Sequence, residues 1–307
     1  MLIRVVSTGP LSGKTTVLCG LAQALSESGA SVSLLRLSGD VNAVADAKLL
    51  ASLPANARPN AEPVDLAVAR EVASQESRLL LEAPAGEMPA VEDARTIIVA
   101  RYSESIVQDV GRFADALGEQ ASGVVVTFVP ERRKDVLRQA LAAAGLREPI
   151  LLLEDRLLAA PTLHDVAEAM AARTMFVDGR ADDVLDRIYI SSISADPEQE
   201  YVARLNPNLL IVRSDKPDQQ LAALNGGVPR LLITGEMPVL SYVLERAEEE
   251  GIPLLLTALE TPQVVERLEG LYGAVPMRGR AKLDRIGQVM KESLPAGGLA
   301  WISGVAG

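Results

Sequence analysis

The chain carries one cysteine, Cys19, and one histidine, His164. The first excludes an internal disulfide and a multi-cysteine metal centre, and the second excludes the histidine-rich metal sites. Aromatic residues make up 3% of a chain that is 48% hydrophobic, so its cores must be built from Leu, Val, Ile and Ala. Lys and Arg total 30 against 41 Asp and Glu, a net charge of -11, with no basic run. Binding to a phosphate backbone relies on a surplus of Lys and Arg, so no nucleic-acid partner is expected. No apolar stretch approaches the ~20 residues that cross a bilayer. The opening Met1-Leu2-Ile3-Arg4-Val5-Val6 lacks the longer apolar core and cleavage site of a signal peptide. These absences predict a cytoplasmic protein with no membrane partner.

What is present is a regular alternation of short apolar runs with longer amphipathic ones, over 307 residues. Two domains are the natural expectation at that length, and the alternation predicts α/β architecture with a mostly parallel sheet and flanking helices. In the first half the strand candidates are 2–7, 31–37, 78–82, 96–101, 123–128 and 149–153, with helices over 14–28, 64–74, 104–117 and 132–144. Val17, Leu18, Leu21 and Leu25 share one face of the first helix, and Gly29 follows as its C-cap. The proline of Ala159-Ala160-Pro161 marks a boundary, and Thr162-Leu163-His164-Asp165 reads as a helix N-cap. A smaller second domain follows, with strands over 209–213, 231–234 and 253–257 and helices over 219–224, 239–250 and 262–271. The expected domains are 1–158 and 159–294, with a Gly/Ala-rich tail, 295–307, in which Trp301 is an end residue.

The strongest local signal is Ser7-Thr8-Gly9-Pro10-Leu11-Ser12-Gly13-Lys14-Thr15-Thr16. It follows an apolar strand and opens an amphipathic helix, the context of a P-loop, although Thr8 stands where the first glycine of the strict pattern would be. Backbone N–H groups of Ser12, Gly13, Lys14, Thr15 and Thr16 would face phosphates at the positive end of the helix. Lys14 would reach the terminal phosphate oxygens and the Thr15 hydroxyl a magnesium ion, so ATP and Mg²⁺ are the expected cofactors. Glu82 ends Leu79-Leu80-Leu81 at the carboxyl edge of a strand, where open α/β sheets bind ligands, and Asp40 and Asp46 follow the second strand. On spacing alone, each acid reads equally as a metal-site carboxylate or as a solvated loop residue.

The remaining singletons have ordinary readings. Cys19 fits a small core residue, His164 a capping turn at the surface, and Glu248-Glu249-Glu250 a solvated helix end. Asp182-Asp183 and the pair Glu198 and Glu200 look equally ordinary. Asp215 and Thr234 read either as turn residues or as the lining of a ligand pocket.

The loop, together with Gly20-Leu21-Ala22-Gln23-Ala24-Leu25, resembles the dethiobiotin-synthetase-like domain at the amino terminus of long phosphotransacetylases. Those domains share the S-T-x-x-x-S-G-K-T form, which also lacks the first glycine. The second half is similar to the DRTGG domain of the same proteins. Leu157-Leu158-Ala159-Ala160-Pro161-Thr162 resembles its entry segment, and Asp215-Lys216 and Thr234-Gly235-Glu236 fall where its signature would lie. The resemblance implies phosphate binding by Lys14 and magnesium binding by Thr15, Asp46 and Glu82. It also implies a charge-steadying, catalytic role for Lys14 and Arg36, with Arg36 in place of a family lysine. Thr127 falls where related sequences carry a base-reading Asn, so preference for adenine is weakened. A homodimer and a small-molecule effector at the second domain are further implications.

The acyltransferase domain of those proteins has no counterpart here, and acyl transfer is not expected. Three readings follow. The first is a regulatory protein that binds ATP and Mg²⁺. The second is an ATP-dependent ligase acting on a small carboxylate or carbamate, and the third is a scaffold that binds nothing.

Overall fold

The computed structural model describes residues 1–87, 94–146, 148–191, 204–295 and 299. Trp301, most of the tail and the pair Glu198 and Glu200 lie outside them. The chain divides into two compact units, Met1–Asp155 with Lys282–Gly307, and Arg156–Ala281.

The first unit is built on six parallel strands: β1 (Leu2–Ser7), β2 (Ser33–Arg36), β3 (Leu79–Glu82), β4 (Arg95–Arg101), β5 (Ala121–Val129) and β6 (Ile150–Leu153), in the order β2-β3-β1-β4-β5-β6. Parallel strands covered on both faces read as near-continuous apolar runs, and every residue of β1, β2 and β3 is buried. Arg4 is the polar intruder in β1, and its guanidinium is satisfied inside by Thr96 Oγ1 at 2.8 Å and Gln120 Oε1 at 3.2 Å. The flanking helices are α1 (Lys14–Glu27), α2 (Ala43–Ser52), α3 (Leu66–Gln75), α4 (Ile106–Leu117) and α5 (Lys134–Ala143). From β1 the chain crosses to the edge strand β2, returns to β3 beside β1, and then passes to β4, β5 and β6 on the other side. The carboxyl end of β1 is therefore beside the switch point of the sheet, where such folds take ligands.

The second unit begins with α6 (Arg156–Ala159) and α7 (Leu163–Ala169). The expected cap is realised as a capping box: Asp165 N–H donates to Thr162 Oγ1, and the Asp165 carboxylate accepts from Thr162 N–H at 2.8 Å. Its sheet runs β7-β11-β10-β9-β8, with β7 (Arg173–Met175), β8 (Ile188–Ile190), β9 (Leu209–Arg213), β10 (Leu231–Thr234) and β11 (Leu254–Thr257). Only the pairing of β7 with β11 is antiparallel. Helices α8 (Pro217–Asn225), α9 (Ser241–Glu249) and α10 (Thr261–Leu271) complete it.

One helix crosses the expected domain division. Residues assigned above to the end of the second domain form α11 (Arg280–Ser293), and from Lys282 onward they belong to the first unit. They pack against α1 at paired glycines. A Cβ on Gly20 would lie 2.9 Å from Met290 Cε and 3.0 Å from Ile286 Cγ1, while Gln23 Nε2 donates to Leu283 O at 3.0 Å. Gly20→Val should therefore overpack this contact and cost about 1–3 kcal/mol, read as a lower denaturant midpoint. An unchanged midpoint would mean that α11 does not rest on α1 in solution.

Candidate functional site

The loop after β1 turns through two left-handed residues, Leu11 at φ 54° and Gly13 at φ 79°. The positive φ of Gly13 favours glycine there, and a Cβ would meet Thr127 Cγ2 at 3.4 Å, an ordinary contact distance. Thr8, in place of the first P-loop glycine, has no positive φ and donates its N–H to Val99 O at 3.1 Å. No glycine is required there.

The loop carbonyls are tied back. Gly9 O accepts Ser7 Oγ at 2.9 Å and Ser12 Oγ at 2.8 Å, Ser12 O accepts Thr127 Oγ1 at 2.9 Å, and Gly13 O accepts Val17 N–H at 2.9 Å. Among the described residues, no backbone N–H from Leu11 to Thr16 has a partner. Alternating backbone hands turn successive N–H groups into one concavity, and the helix dipole of α1 adds positive potential. Lys14, 8% exposed, has no ion pair among the described residues, and burial lowers its pKa.

Behind the loop lies a buried charge cluster. Thr15 Oγ1 donates to Glu82 Oε1 at 2.8 Å. Arg36, 2% exposed, reaches Asp40 Oδ2 at 2.5 Å, Asp46 Oδ2 at 3.3 Å and Glu82 Oε1 at 3.7 Å, and donates to Leu37 O at 2.6 Å. Asp46 sits in the first turn of α2, where the helix dipole favours a carboxylate. Burial nevertheless raises its pKa, against the opposing pull of Arg36. Glu82 is pushed up to about 7, by burial first and then by the negative charge of Asp46. Burial would raise Asp40 too, but the hydrogen bond and charge of Arg36 hold it below the usual range. For Arg36, burial works to lower the pKa and the surrounding carboxylates, Glu82 foremost, outweigh it.

The fold thus brings Ser12, Gly13, Lys14, Thr15 and Thr16 onto one loop and sets Arg36, Asp46 and Glu82 behind it. A magnesium ion would fit this donor set. Glu82 Oε2 is buried with no hydrogen-bond partner, next to the Thr15 hydroxyl. The described residues hold no group of three or more His, Cys, Asp or Glu able to bind a metal alone. Such an ion would need oxygens from a ligand as well. Thr127, at the position of the base-reading Asn of related sequences, donates its hydroxyl to Ser12 O. That contact spans 115 positions of sequence, so no local pattern announced it.

In the second unit the signature positions build turns. Asp215 and Arg213 form a two-pronged ion pair, at 2.9 and 2.6 Å. Gly235, at φ 102°, shares its N–H between Thr257 O and Leu259 O, and a Cβ on it would lie 2.8 Å from Ser214 Oγ. Thr234 and Thr261 hydroxyls bond at 2.8 Å. Cys19 is fully buried and its pKa is raised by burial, which makes it a core residue. His164 is half exposed on α7 with Glu168 at 3.7 Å. No helix among the described residues is long and apolar enough to cross a membrane.

Comparison with known proteins gives a partial match. A phosphate acetyltransferase of Nitratidesulfovibrio vulgaris is 24% identical over 189 residues, covering 55% of this chain. The chain spans 27% of the length of that relative. Among solved structures, the CBS and DRTGG domains of the regulatory region of Clostridium perfringens pyrophosphatase, complexed with the activator diadenosine tetraphosphate, align at 11% identity. That alignment covers 52% of this chain and 77% of the other, with a TM-score of 0.33. The MinC:MinD cell division complex of Aquifex aeolicus aligns at 18% identity over 51% of this chain and 83% of the other, with a TM-score of 0.40. Residues 165–271 match the family model of the DRTGG domain, so the second unit contains a DRTGG domain.

Proposed function

We propose that the first unit binds a nucleoside triphosphate with magnesium, as a dethiobiotin-synthetase-like P-loop domain, and that the DRTGG domain makes the protein a regulatory or sensory one. The observation that carries this is the row of unpartnered N–H groups from Leu11 to Thr16, closed by the buried cation of Lys14. Every helix start leaves its first N–H groups without intrahelical partners, and what favours an anionic ligand here is that this row lies beside the buried ammonium of Lys14. Ser12, Gly13, Lys14, Thr15 and Thr16 hold the phosphates, and Thr15, Glu82 and Asp46 hold the magnesium ion, which neutralises phosphate charge when bound. The second domain is the place for a small-molecule effector and for homodimer contacts.

A ligase needs a free cation to steady the transferring phosphoryl group, and Arg36 is the residue the resemblance offers. Its guanidinium is enclosed by Leu37 O, Asp40, Asp46 and Glu82, which favours binding and switching over catalysis. The non-binding scaffold gives no physical reason for a buried Lys14 without an ion pair among the described residues.

Calorimetric titration with ATP and GTP, with and without Mg²⁺, tests the reading. Saturable, magnesium-dependent binding is expected, weakened about 10- to 100-fold in Lys14→Ala by loss of a charge-assisted contact. Failure of the wild-type protein to bind either nucleotide at millimolar concentration would sink it. Release of phosphate that depends on an added carboxylate would favour the ligase instead.

A further inference from the structure

We infer that Thr127 is a positioning residue of the phosphate site: it fixes the Ser12–Gly13 peptide so that the Gly13 N–H faces the ligand, and it does not read the base. The inference rests on the nucleotide-binding reading above.

Thr127 lies near the carboxyl end of β5, 4% exposed, and donates its hydroxyl to Ser12 O at 2.9 Å. A second acceptor, Ala100 O, is 3.5 Å away, too long to compete for the one hydroxyl proton. Across a planar trans peptide the C=O and the following N–H point in opposite directions. Holding Ser12 O against β5 therefore turns the Gly13 N–H away from the sheet and into the loop. Gly13 is also the residue whose left-handed φ of 79° lets the peptide adopt this setting, and its Cα face packs on Thr127 Cγ2. Hydroxyl and methyl of one side chain thus brace the carbonyl and the glycine of the same peptide.

The other pinned carbonyls do not duplicate this brace. Gly9 O is held by Ser7 and Ser12, within the loop itself, and Gly13 O by the first turn of α1. Among the described residues, Thr127 makes the side-chain hydrogen bond that ties the loop to β5. A hydroxyl committed in this way has no proton to donate to a nucleobase, and its bond to Ser12 O places the effect of Thr127 on the loop that faces the phosphate chain.

Three proteins, wild type, Thr127→Val and Thr127→Ser, would be titrated with ATP, GTP and inorganic tripolyphosphate, each with Mg²⁺, and their melting temperatures compared. Thr127→Val keeps the shape and removes the donor. It should weaken all three ligands by a similar factor, about tenfold or more. Thr127→Ser keeps the donor and should restore binding to within a few-fold of wild type, an outcome that lost packing alone would not give. Weaker binding of ATP with tripolyphosphate unchanged would make Thr127 a nucleoside reader and overturn the inference. So would unchanged binding of all three ligands by Thr127→Val, or no rescue by Thr127→Ser at an unchanged melting temperature. If wild type binds none of the ligands, the nucleotide reading falls and this inference falls with it; if wild type binds, only the behaviour of Thr127 is at stake.

Discussion

Arg36→Leu should cost the protein about 3–5 kcal/mol of stability, the usual penalty for removing one partner from a buried charge network. The substitution leaves Glu82 and Asp46 buried without their main counter-charge, with Lys14 the remaining cation of the cluster. Desolvated carboxylates can escape the penalty by taking up protons, so the loss should shrink as pH falls toward 5. Arg36→Lys should fall between the two, since an ammonium keeps the charge but cannot reach Leu37 O and the carboxylates with one planar fork. Urea denaturation at constant m-value measures all of this. A loss below about 1 kcal/mol at pH 8 would mean that the carboxylates are already neutral without Arg36.

Glu82→Gln should act in the opposite direction. In the folded protein the Glu82 pKa is near 7, against an ordinary 4.5. Between those values the folded state keeps a proton that the unfolded state has lost, so stability declines as pH rises. The contribution is fully present below the unfolded value and gone once pH passes the folded one. Its ceiling is about 3 kcal/mol, reached over that window. The Gln variant carries no titrating group there. It should match wild type near pH 5, exceed it in stability at pH 8, and bind magnesium-nucleotide more weakly. Parallel stability-versus-pH curves for the two proteins would refute the assignment of the strained carboxylate to Glu82. A side chain that destabilises the ligand-free fold is what a site prepared for a cation is expected to contain.

Most strands were legible from the sequence because a parallel sheet demands unbroken apolar runs, whereas the short, partly exposed β7 and β8 were not expected. Leu2–Ser7, Leu209–Arg213 and Leu231–Thr234 fall where the runs place them. Two helices were not. Ala43–Ser52 is short, and with Asp46 buried and Val44 exposed its apolar and polar residues do not separate onto two faces. Arg280–Ser293 buries Lys282, Ile286, Gly287, Val289 and Met290, a face interrupted by a charge and a glycine. Its glycine becomes meaningful only when α1 lies against it, with Gly20 opposite Ile286 and Met290.

The site divides in the same way. Ser12, Gly13, Lys14, Thr15 and Thr16 are one contiguous motif, and a contiguous motif at a strand-to-helix junction carries its own geometry. By itself, then, the sequence determined the α/β class, the strand–loop–helix run from β1 into α1, the helix cap at Thr162 and the likeness of the second domain to a DRTGG domain. Each depends on neighbours within a turn or a strand. Only the tertiary structure decided that Arg36 faces inward among carboxylates, that Thr127 braces the loop, and that α11 returns to α1. Arg36 is drawn inward by Glu82 on a neighbouring strand as well as by Asp40 and Asp46 nearby in sequence, Thr127 by a carbonyl that needs a donor, and α11 by close packing on Gly20.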